Sequence, residues 1–83
     1  MYKEIHRGFC LYSMTSAHGY AQTTKDRPNC NGHAWLYVQT KSGWKSGWKH
    51  NAERVTITAP ANDPIKHSWH KTQRNETARH VAH

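Results

Sequence analysis

Two consecutive tetrapeptides, Ser42-Gly43-Trp44-Lys45 and Ser46-Gly47-Trp48-Lys49, twice set an indole beside an ammonium group. Lys41, His50 and Arg54 surround them, so residues 41–54 carry four Lys and Arg cations against the single carboxylate of Glu53. Cations neutralise phosphates and release their counterions, while indole faces stack on unpaired bases for about 1–3 kcal/mol each. That combination is the chemistry of nucleic-acid binding. On a hairpin, Trp44 and Trp48 would share one surface, with Lys41, Lys45, Lys49 and Arg54 contacting phosphates. The competing reading puts both indoles in the core and leaves the lysines as a solvated rim. An acidic protein surface is the other anionic partner these residues suit.

A second cationic segment follows, in which Lys66, Lys71 and Arg74 join His67, His70, Arg79 and His80 against Glu76 alone. On a helix Lys66, His70 and Arg74 would form one stripe able to track phosphates. Cys30-x-x-His33 and His67-x-x-His70 together resemble a zinc ligand set in spacing. With eight histidines in 83 residues, however, close pairs arise by chance. The expectation is therefore surface or hydrogen-bonded histidines, no metal and no cofactor. Cys10 and Cys30 are too few for a disulfide scaffold and are expected as thiols. The five carboxylates form no near pair for acid–base work, and neither a phosphate loop nor a serine elbow is present.

These features favour a protein that binds without turnover, with no catalytic residues and with nucleic acid, RNA or DNA, as its first partner. One alternative is a small viral or mobile-element inhibitor that blocks a host protein complex. Another is a small histidine-dependent ribonuclease using some of His50, His67 and His70.

The elements that must position these groups come from one small domain spanning residues 1–83. Leu, Ile, Val and Phe number only nine, so the four Trp and four Tyr must supply much of the buried area. No apolar run is long enough to span a membrane. Met1–Arg7 lacks the apolar core of a secretory signal, and a cytoplasmic location is expected. Phe9–Tyr12 reads as a strand with a bulge at Gly8, and a weaker strand lies around Tyr20. Residues 25–32 read as a loop. His33–Thr40 is the clearest strand, with Ala34, Leu36 and Val38 on the inward face and Trp35, Tyr37 and Gln39 on the other. Arg54–Ala59 is a second. Asn62-Asp63-Pro64 reads as a helix start, with Asp63 as N-cap, so a helix is expected over 64–77 and a frayed tail over 78–83.

Trp35, Val38, Gly43, Gly47, Trp48 and Val55 fall on an aromatic-led strand, a glycine hairpin, a Gly-Trp pair and a closing strand. Over residues 35–57 this pattern resembles the second half of bacterial SH3-like domains. The expected fold class is thus α+β and mostly β: a small antiparallel sheet or an SH3-like barrel with a C-terminal helix.

Overall fold

The alternation at residues 34–40 sets the architecture: Ala34, Leu36 and Val38 are fully buried, while Trp35, Tyr37 and Gln39 remain half-buried on the opposite face. The computed structural model describes residues 2–7, 10–25, 32–74 and 77–82. Its strands are β1 (Tyr2–Arg7), β2 (Cys10–Ser16), β3 (Tyr20–Lys25), β4 (Ala34–Thr40), β5 (Lys49–Asn51), β6 (Arg54–Thr58), β7 (Ile65–Lys71) and β8 (Arg79–Ala82). They make two four-stranded antiparallel sheets, ordered β1-β2-β3-β6 and β5-β4-β7-β8. Ala21 of β3 with Val55 and Ile57 of β6 packs against Ala34, Leu36 and Val38 of β4 and Ile65 of β7, so the two sheets share one core. Tyr12 and Met14 of β2 form a smaller apolar cluster. Among the described residues no helix is long and apolar enough to cross a membrane.

The expected C-terminal helix is replaced by strands. Within 64–77, β7 pairs with β4 through Leu36↔His70, Tyr37↔Trp69 and Val38↔Ser68. The segment expected to fray contains β8, which pairs with β7 through Ser68↔Val81 and Trp69↔His80. The described chain is therefore all-β, with two facing sheets in place of one small sheet and a helix. The physical reason lies on the inner face of β7, whose buried residues include Ser68 and His70. A strand with a polar inner face shows no apolar alternation, and Asp63-Pro64 ahead of it imitates a helix start.

Asp63 does cap a turn, but one far away in sequence. Its carboxylate accepts hydrogen bonds from Thr40 Oγ1 at 2.6 Å, Ser42 Oγ at 2.7 Å and Ser42 N at 2.9 Å. The Thr40 hydroxyl, followed by that of Ser42, holds this carboxyl below its ordinary pKa. The fold thus uses Asp63 to lock the turn that leaves β4. Gly43 completes that turn at φ 97°, and its amide donates to the Thr40 carbonyl at 3.0 Å. The two tetrapeptide repeats are consequently not equivalent, the first forming the turn and the second leading into β5. Gly8 and Phe9, and residues 26–31 of the expected loop, lie outside the described residues.

Candidate nucleic-acid interface

The outer face of the second sheet carries a band of rings that crosses all four of its strands. Period-two alternation directs Trp35 and Tyr37 of β4 and His67 and Trp69 of β7 to the same side. Cross-strand pairing sets His50 of β5 beside Trp35, and His80 of β8 beside Trp69. His50 stacks on Trp35 at 4.2 Å between centroids and 22° between planes. Tyr37 meets Trp69 edge-on at 5.3 Å, and Trp69 stacks with His80 at 5.1 Å. Trp48, in the segment leading into β5, folds over this band and contacts Tyr37 at 5.5 Å and Trp35 at 6.4 Å, both edge to face. Such T-shaped pairs suit the ring quadrupoles.

Lys71 fixes the centre of the band. Its ammonium lies 4.2 Å from the Trp48 ring centroid and 4.9 Å from that of Trp35, and it donates to the Arg74 carbonyl at 2.9 Å. It is a buried cation packed against two indoles. Beside it, Tyr37, Gln39, Lys45, Trp48 and Trp69 line an open cleft of about 340 Å³. A second cleft, of about 320 Å³, is lined by Gly32, His33, Trp35, His50 and Arg74.

The structure thus gathers part of the sequence-derived set and disperses the rest. Trp44 and Trp48 are both exposed, at 41% and 40%, so neither indole is sealed in the core. Only Trp48 belongs to the band; among the described residues Trp44 makes no ring contact. Lys45 and Arg74 line the two clefts and Lys71 lies between the rings. Lys49 pairs with the inward-facing Leu36, which sends its side chain to the opposite side of the sheet from His50. Lys41 is exposed at the turn capped by Asp63, and Lys66 is half-buried near the start of β7. Arg54 lies on the first sheet in a depression with Thr24, Lys25, Asn51 and Glu53. Lys41, Lys49, Lys66 and Arg54 are therefore outside the cleft linings.

The proposed Cys/His set is not assembled. His67 and His70, three apart on a strand, point to opposite faces of β7. His67 Nδ1 lies 2.9 Å from His80 Nε2, and His33 Nδ1 lies 3.0 Å from His50 Nδ1. Cys30 lies outside the described residues. Among those described, no group of three or more His, Cys, Asp or Glu side chains is arranged to hold a metal.

His70 is fully buried between the sheets. Its Nδ1 is 2.8 Å from Thr23 Oγ1 and its Nε2 is 2.8 Å from Ser68 Oγ, which in turn lies 2.9 Å from Ser16 Oγ. Thr23 donates its hydroxyl proton to the Trp35 carbonyl at 3.1 Å, and Ser68 donates its own to Ser16 Oγ. Burial lowers the ring's pKa to about 4 and keeps it neutral at pH 7. A ring sealed in this way cannot meet a substrate, which removes His70 from the ribonuclease reading; His50 and His67 remain on the outer face.

Sequence reasoning did not single out Trp35, Tyr37 and Trp69 as members of the ring band. The alternation of β4 carried the signal for the first two. Trp69 became legible only once β7 was paired beside β4. The chain matches no family model, no curated protein and no solved structure.

Proposed function

We propose that the protein binds single-stranded nucleic acid on the aromatic face of the second sheet, acting in the cytoplasm by binding without turnover. The observation that carries this reading is the ring band with the Lys45-lined cleft at its centre, on a chain of net charge +7. Bases stack on exposed indoles whatever their identity, while Lys45 and Arg74 neutralise phosphates at the two clefts. The flat, open shape favours unpaired strands, whose bases are free to stack, over a duplex, which would offer only its backbone.

The test is fluorescence anisotropy with labelled single-stranded RNA and DNA across a salt series. Binding should weaken with a log–log slope of about −0.7 per phosphate contacted. Trp48→Ala should weaken binding by about 1–3 kcal/mol with the fold intact by circular dichroism. Trp44→Ala, outside the band, should change it by less than about twofold. Absence of binding at low salt, or equal losses in the two variants, would refute the assignment.

A further inference from the structure

The two histidine pairs bracket the ring band and differ in their surroundings. His67 and His80 come from adjacent strands, β7 and β8, and both stack on Trp69, at 5.8 Å and 28° and at 5.1 Å and 25°. Their own rings lie 5.0 Å apart at 21°. Trp69 is packed in turn against Tyr37, so both imidazoles are oriented before any ligand arrives. The facing nitrogens, Nδ1 of His67 and Nε2 of His80, share a hydrogen bond of 2.9 Å, and the pair is exposed.

We propose that His67 and His80 form a two-nitrogen binding site for a divalent transition metal, Cu²⁺ or Ni²⁺, at the seam of β7 and β8. With metal–nitrogen bonds of about 2.0–2.1 Å, neighbouring ligands are about 2.9 Å apart in a square or octahedral site and about 3.3 Å apart in a tetrahedral one. Affinity at such nitrogen sites rises along the divalent series through Ni²⁺ to a maximum at Cu²⁺. Imidazole is a ligand these ions favour, whereas Mg²⁺ and Ca²⁺ demand oxygen donors. For binding, His67 must carry its proton on Nε2 and His80 on Nδ1, which leaves the two facing lone pairs free for the metal; water completes the coordination.

The other pair is the internal comparison. His33 and His50 present two nitrogens 3.0 Å apart, but Arg74 lines the same cleft, and its fixed charge opposes a dication there. The metal should thus load at His67 and His80 first. The site does not depend on the nucleic-acid reading, and its test uses no nucleic acid.

The experiment titrates the full chain with CuSO₄ or NiCl₂, with MgCl₂ as control, by calorimetry and by histidine-resolved NMR. Saturable one-to-one binding is expected, weakened at least about tenfold in His67→Ala and in His80→Gln and left within about twofold in His33→Ala. Sub-stoichiometric Cu²⁺ should broaden the ring signals of His67, Trp69 and His80 in the unmodified protein before those of His33 and His50. This second readout does not depend on any variant folding. Broadening that starts at His33 and His50, or spreads evenly over the histidines, overturns the proposal. So does affinity unchanged in both His67→Ala and His80→Gln, or the absence of saturable binding.

Discussion

His70 shows how much a single side chain can do in a core this short of aliphatics. Its two ring nitrogens join Thr23 on the first sheet to Ser68 on the second, and Ser68 reaches back to Ser16, so four polar residues seal the space between the sheets. A buried hydrogen bond in such a chain is worth most as an avoided penalty, because an orphaned partner costs about 1–3 kcal/mol. The ring's protonation makes this measurable. In the unfolded chain a histidine takes up a proton near its ordinary value of about 6.5, whereas folded His70 does so only at about 4. Between those values the unfolded state binds more protons, so stability falls as the pH is lowered through this window and levels off below it. The shift corresponds to about 3 kcal/mol. Urea titrations from pH 7 to pH 4 should show that loss in the unmodified protein, and His70→Gln should lack this component of the slope.

At the scale of elements, β4 and β6 were readable and β7 and β8 were not, for one reason. In β4 and β6 aliphatic residues alternate with aromatic or hydroxyl ones, so period two is visible in the residue types themselves. In β7 the inward residues Ser68 and His70 are as polar as the outward ones, and only their partners across the sandwich explain their burial. The candidate site followed the same division. Trp48 and Lys45 were found from the repeat, but Trp35, Tyr37 and Trp69 join them only through the β4–β7 pairing. The helix-cap reading of Asp63 identified the right chemistry and assigned it to the wrong segment.

The junction that enters β4 gives an element-scale prediction. Gly32 adopts φ +92°, and a Cβ placed there would lie 2.2 Å from the Thr72 carbonyl oxygen. That same oxygen accepts the amide of His33 at 3.1 Å, which ties the start of β4 to the end of β7. Gly32→Ala should therefore destabilise by about 2–4 kcal/mol, through both dihedral strain and collision. Gly19→Ala, with nothing within 4 Å of the new methyl group, should stay within about 0.5 kcal/mol, and chemical denaturation of the two variants checks the contrast.

Among the described residues, the larger apolar core of the molecule is built of small aliphatics to which both sheets contribute. Leu36, fully buried at the centre of β4, is with Ile65 one of its two largest fully buried aliphatic side chains. Leu36→Ala should cost about 2–5 kcal/mol. Because, among the described residues, neither sheet has a second core of comparable size, indole fluorescence and far-ultraviolet dichroism should report one coincident transition. A variant in which the two signals separate would show that the sheets melt independently.

The order of the strands has a last consequence, for behaviour at high concentration. β1 and β6 border one sheet and β5 and β8 the other, and every one of these outermost strands is either very short or bears fixed positive charge. β5 has three residues and β8 four, with Arg79 at its start; Lys3 lies on β1, and Arg54 opens β6. A neighbouring copy would find few free amides and carbonyls on β5 and β8, and a like-charged border on β1 and β6. Repulsion at those rims should keep concentrated solutions from seeding fibrils, and added polyanions, by masking the charge, should be what lets copies cluster.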